Sequence, residues 1–241
     1  MKTPQRWGGI AALAGAGTNL LGLVVFVAWL QPKGIGADDP DPAKIVVLLS
    51  DNRSAMLAWY EIIYLVFGMS VIFLVLALQE RLQTAAHGIG QAVTIFGLIY
   101  ATLVLLIGTL SIEGLDTVVR LRSENPARAE TVWVTLTAVE DGLGAGGGET
   151  IVLSVWLLML SWVALRVGGF PRLVNYLGAV VGVAGILSVL FGSITLMSVN
   201  GLGLIVWLAW LGIAMLRPQS AQPGERSGTS DAVDLSAPNR S

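Results

Sequence analysis

Two carboxylates stand inside apolar stretches long enough to cross a bilayer: Glu61, a few residues past Met56, and Glu149, just after a run of glycines. An ionisable group inside a span costs about 2.5–3.5 kcal/mol on the insertion scale, so each needs a partner, water or a ligand. Both stretches are expected to run in the same direction, which puts the two acids at similar depth, roughly 6–8 Å below the outer boundary. Other polar groups converge on that level. Glu113 and Asp116 end the third stretch, Glu140 and Asp141 precede the glycines, and Asn200 opens the sixth. Tyr64 and Gly68 follow Glu61 at i+3 and i+7, so an α-helix places the hydroxyl on the carboxylate's face. The chemistry this set suits is an outward-facing polar cavity for a proton, a cation, a lipid headgroup or a small amphiphile. The candidate ligand- or ion-binding residues are therefore Glu61, Tyr64, Glu113, Glu140, Asp141, Glu149 and Asn200. The competing structural reading has Glu149 complementing a helix N-terminus and both acids snorkelling or pairing with Arg53, Arg120 or Arg122.

Other chemistries are excluded or weakened. There is no cysteine, which removes disulfides, thiolate nucleophiles and Cys-ligated metal, and the single histidine, His87, cannot build a His-rich metal site or a bis-histidine haem. The run from Asp141 through Gly142, Gly144, Gly146, Gly147 and Gly148 to Glu149 lacks the Gly-Lys-Ser/Thr ending of a phosphate loop and is flanked by acids. It reads as a backbone break at the membrane surface. No catalytic constellation, metal site or cofactor is expected, and the balance leans away from an enzyme. An intramembrane enzyme acting on lipids would have only Asp, Glu, Tyr and Arg to work with.

The elements that must position these residues follow from composition. Only 12% of the 241 residues are charged, 54% are hydrophobic, and the mean hydropathy is +0.74. A soluble domain carries about 25% charged residues. Basic and acidic residues, 14 against 16, nearly balance, which excludes a nucleic-acid partner. The expected fold class is all-α, a polytopic bundle of about six transmembrane helices over 7–30, 56–78, 88–110, 145–165, 173–197 and 199–216. The segment from Ala127 to Leu165 would extend about 60 Å as one helix, twice the hydrocarbon thickness. It is therefore divided at the glycines, leaving 127–141 as a surface or re-entrant helix. Residues 217–241, rich in Ser, Pro, Gly, Asp and Gln, are expected to form a disordered cytoplasmic tail. Lys2, Arg6, Arg81, Arg166, Arg172 and Arg217 flank short turns or termini, whereas the opposite loops are long and dense in Asp, which sets both termini inside. Thr18 and Asn19, midway through the first span, suit a hydrogen bond to a neighbouring helix or a cavity wall. Trp156, Trp207 and Trp210 are expected to pack the bundle core.

The C-terminal half carries a resemblance. Gly146-Gly147-Gly148-Glu149 with Trp156 and Leu157, then Pro171-Arg172 with Tyr176-Leu177-Gly178 and Gly182, then Trp207, Trp210, Leu211 and Gly212 before Arg217, resemble the six-helix bacterial integral membrane proteins grouped as domain of unknown function 4386. The resemblance is best over residues 140 to 217 and covers the N-terminal half by span layout alone. It implies a six-helix architecture in a bacterial cytoplasmic membrane and carries no catalytic residue. Expected partners are the lipid bilayer, a small ligand or lipid, and accessory subunits or further copies of the chain. The leading function is ligand or lipid binding in an outer-leaflet cavity, or service as an accessory subunit. The alternative is a proton- or cation-coupled transporter using the intramembrane carboxylates.

Overall fold

The computed structural model of the chain describes residues 3–37, 39–82, 87–144, 146–168 and 170–217. The tail from residue 218 onward, expected to be disordered, lies outside them. Among the described residues the chain is all-α. The helices are α1 (Thr3–Val25), α2 (Pro42–Asp51), α3 (Arg53–Tyr60), α4 (Phe67–Leu82), α5 (His87–Glu124), α6 (Pro126–Leu143), α7 (Gly148–Val167), α8 (Arg172–Phe191) and α9 (Ile194–Leu216). Six helical segments are long and apolar enough to cross a membrane, so this is a multi-pass membrane protein. One of these segments, Pro126–Val167, comprises α6 and α7 in sequence, and the connection between them carries the break that the glycines predict.

Local chemistry sets the helix ends. Asp41 caps α2, accepting from the backbone N–H groups of Ala43 and Lys44, with Pro42 at the first helical position. The hydrogen bond from the Lys44 side chain, aided by the Lys44 backbone, holds the Asp41 carboxyl below its ordinary value, so the cap is ionised at neutral pH. Asn125 caps α6 and Ser193 caps α9 in the same way. Gly168 and Gly192, at φ 71° and 60°, end α7 and α8 in the left-handed conformation that a Cβ disfavours.

The molecule has two storeys. The lower is a bundle of α1, α4, the first half of α5, α7, α8 and α9, whose buried centre contains Tyr100, Trp156, Leu157, Trp207 and Leu208. Trp210, by contrast, is 37% exposed and lies outside that centre. The Gln5 side-chain amide donates to the Met215 carbonyl at 2.9 Å, so the start of α1 and the end of α9 share one end of the bundle. The upper storey projects from the other end. At 38 residues, α5 is ~57 Å long, about twice the hydrocarbon thickness. The polar stretch after Leu110 therefore continues as helix, and α6 folds back along it. Leu115, Val118 and Leu121, three residues apart on one face, join Ile45, Val46, Leu49 and Met56 in a second buried core. Arg120, between Val118 and Leu121, is exposed.

Two ion pairs tie this cap together. Arg53 grips Asp116 with two parallel bonds, Nε to Oδ1 at 2.9 Å and Nη2 to Oδ2 at 3.0 Å, and Arg122 Nη1 lies 2.8 Å from Asp51 Oδ1. The Arg53–Asp116 side chains remain about 44% and 43% exposed, and exposed pairs contribute about 0.2–1 kcal/mol each. Replacing both partners (Asp51→Asn with Asp116→Asn) is expected to speed amide exchange in α2 and α3 by about fivefold, equivalent to about 1 kcal/mol. Exchange in α7–α9, followed in the same hydrogen–deuterium experiment, should not change.

Candidate functional site

The junction of the two storeys is hollow. A lower cavity of about 640 Å³ lies between α1, α5, α7 and α9 at the cap end of the bundle, and an upper cavity of about 590 Å³ lies inside the cap. Phe26, Trp59, Tyr64 and Met197 line both, so these four side chains form the boundary between the storeys. A third hollow of about 630 Å³ near the opposite end is a groove between α1 and α4, walled by exposed side chains such as Trp7 and Phe73.

The boundary is built on irregular backbone. After α1 the chain makes a π-helical turn, Phe26–Leu30, and between α3 and α4 it makes another, Glu61–Val66. Each contributes a boundary ring, Phe26 from the first and Tyr64 from the second. π-turns inside α-helices are rare and are concentrated at functional sites. Trp59, two residues before the second, has its indole N–H buried without a hydrogen-bond partner among the described residues. The continuous helical rod of α3, the second π-turn and α4, which carries Trp59 and Tyr64, sits hard against α1: a Cβ on Gly22 would stand 2.6 Å from Ile63 Cγ2.

Glu149 occupies the first turn of α7 and lines the lower cavity. Tyr100, which α5 presents from below, lines the same cavity with its ring and hydroxyl on the Glu149 side of the bundle centre. Position at a helix N-terminus gives Glu149 a favourable dipole. The glycine connection that delivers this turn is pinned by Thr150, whose Oγ1 accepts from the Gly146 N–H at 2.9 Å. Gly146 itself takes φ 94°, which a side chain rarely tolerates. Asn200, buried on α9, also lines the lower cavity and donates from Nδ2 to the Val181 carbonyl at 2.9 Å. Asn19 lines the same cavity from α1.

The upper cavity holds Glu140 and Asp141. Ser111 Oγ donates to Glu140 Oε1 at 2.8 Å, and Tyr64 lines the same cavity. Tyr64, Ser111 and Glu140 thus bring polar groups to this wall from the π-turn before α4, from α5 and from α6. The two cavities together bring five of the seven sequence candidates to one place: Tyr64, Glu140, Asp141, Glu149 and Asn200.

Glu61 and Glu113 are elsewhere. Both are exposed and line neither cavity. The face shared by Glu61 and Tyr64 presupposes α-helical spacing, but the residues lie in a π-turn, whose wider loop carries i+3 further round the axis. Tyr64 therefore points to the boundary while Glu61 points away. Asp116 is engaged by Arg53, as described above.

Phe26, Trp59, Tyr100 and Ser111 are not among the candidates that the sequence singles out. Tyr100 carried a readable signal, since a hydroxyl in the middle of an apolar span must find a partner. Phe26 carried none, because its role comes from a backbone irregularity. Set against protein-family models, the curated proteins and the solved structures, the chain matches none.

Proposed function

We propose that this multi-pass protein sits in a bacterial cytoplasmic membrane with both termini inside, and binds a small ligand or lipid in the paired cavities at its outer end. The observation that carries this reading is the pairing itself: a mostly apolar chamber bearing Glu149, joined through four shared side chains to a more polar chamber bearing Glu140 and Asp141. Amphiphiles need such a division, and volumes near 600 Å³ lie within the usual range of ligand pockets, about 300–1,000 Å³. Transport has less support. A transported species would need a route to the opposite end, and the bundle centre below Glu149 is filled by Tyr100, Trp156 and Trp207 in ring-to-ring contact. The reading is tested by a density map of protein extracted with its native lipids. Ordered density between Trp59, Glu149 and Asn200 is the expected result, and a collapsed or featureless chamber overturns it.

A further inference from the structure

We infer that the lower cavity binds a lipophilic monocation, a protonated amine or quaternary onium on an apolar body, with Glu149 as its counter-charge. This rests on the paired cavities being a ligand site, and it names the class of ligand.

Charge makes the first selection. Among the described residues lining the two cavities, the charged side chains are Glu140, Asp141 and Glu149, with no lysine, arginine or histidine. An anion entering this space would meet three carboxyls and no cationic donor. The same argument disfavours phosphate-bearing lipids, whose headgroup needs such a donor. Glu140 and Asp141 in the upper cavity and Glu149 in the lower one give both spaces a potential of the same sign, which favours a cation.

Hydration makes the second selection. Calcium takes 6–8 oxygen ligands and magnesium keeps an octahedral, largely aqueous shell. The lower cavity offers one carboxylate with a few amide and hydroxyl groups in a mainly apolar wall, and no cluster of acidic or histidine residues suited to a metal ion is present among the described residues. A cation that enters must already be weakly hydrated. Phe26, Trp59, Tyr64, Phe67 and Tyr100 line the chamber, and aromatic rings attract onium groups within about 6 Å while accepting their apolar bodies. Tyr100 and Glu149 line this chamber together, so an aromatic face and the carboxyl are offered to the same ligand.

The test uses full-length protein in maltoside micelles and three probes of similar shape: tetraphenylphosphonium, tetraphenylborate and neutral triphenylmethanol, each titrated by calorimetry. The expected result is one-to-one binding of the phosphonium, with the borate at least about tenfold weaker. Glu149→Gln should weaken the phosphonium about tenfold or more and leave triphenylmethanol unchanged, while Glu124→Gln, on the exposed end of α5, should change neither. If Glu149→Gln does not fold, the charge comparison on the unaltered chain decides. Borate or triphenylmethanol binding as tightly as the phosphonium overturns the cation inference and leaves the ligand cavity standing. No binding by any probe overturns both.

Discussion

Trp156→Ala is expected to destabilise the folded bundle by about 3 kcal/mol and to disturb the candidate site together with the core. Trp156 is 1% exposed and stands at the centre of an aromatic column. Tyr100 stacks on it at 6.0 Å with 21° between ring planes, Trp207 meets it edge-on at 6.0 Å and 79°, and Phe67 meets Tyr100 at 6.2 Å and 77°. Truncating a buried Trp or Phe to Ala in an aqueous protein costs about 3–5 kcal/mol. The lower end applies here, because separated helices in a bilayer leave Trp156 in lipid instead of water, so only packing and dispersion are lost. The effect reaches the site because Tyr100 both stacks on Trp156 and lines the lower cavity with Glu149. Trp156→Phe separates the two contributions. The Trp156 indole N–H has no hydrogen-bond partner among the described residues and lies against Gly97, where an added Cβ would be 2.7 Å from Nε1. Phe keeps a ring in the column and removes an orphaned donor, so it should cost well under half of what Ala costs. Unfolding in a denaturing-detergent titration gives the numbers; an alanine variant as stable as the parent would mean that the column carries no packing energy.

The lower storey was legible in the sequence because hydrocarbon thickness fixes helix length. Apolar runs near 20 residues announce themselves, and the division of 127–165 followed from the same arithmetic. The cap was harder to read for the same reason. Once Leu110 is passed, a rule based on length has nothing more to measure, although the periodicity continues. Leu115, Val118 and Leu121 repeat at helical spacing, with Ala129, Val132, Trp133 and Leu136 supplying the facing stripe on α6. A reading by periodicity would have extended α5 to Glu124 and paired it with α6.

The site was legible where it depended on local pattern and illegible where it depended on irregular backbone. Glu149 stood out as a carboxylate beside a glycine break, and Glu140 and Asp141 by proximity to it. Asn200 stood out as a polar amide beginning an apolar helix. The pairing of Glu61 with Tyr64 assumed 3.6 residues per turn, and nothing in the residues Glu61–Val66 marks them as a π-turn. Tertiary contact explains their placement: Gly22 lets α1 approach Ile63 closely, Gly108 lets α5 approach Tyr64, and the rod adjusts between them.

Gly182→Ile is expected to prevent the α7–α8 hairpin from closing, leaving no monodisperse folded protein, whereas Gly182→Ala should fold with a loss of about 1–3 kcal/mol. A Cβ at Gly182 would stand 2.8 Å from the Ser154 carbonyl oxygen and 2.9 Å from Leu158 Cγ. The carbonyl belongs to the backbone of α7 and cannot rotate aside, so the helices must separate. Separation is costly along this whole seam, because Gly178 lies under Ser161 and Trp207, and Gly185 under Ser154 and Asn200, at equally short range. Small residues at such spacing are what allow two membrane helices to approach when water provides no drive between them. Opening the seam at Gly182 also moves Asn200 and the start of α7, so loss of ligand should accompany loss of stability. The matched control is Gly17→Ala on α1, where a Cβ would meet nothing within 4 Å. Both alanine substitutions gain the same helix propensity, about 1 kcal/mol, so the difference between their unfolding free energies isolates the packing cost at Gly182. Equal stability in the two variants would show that α7 and α8 tolerate separation, and that the glycines serve some purpose other than close approach.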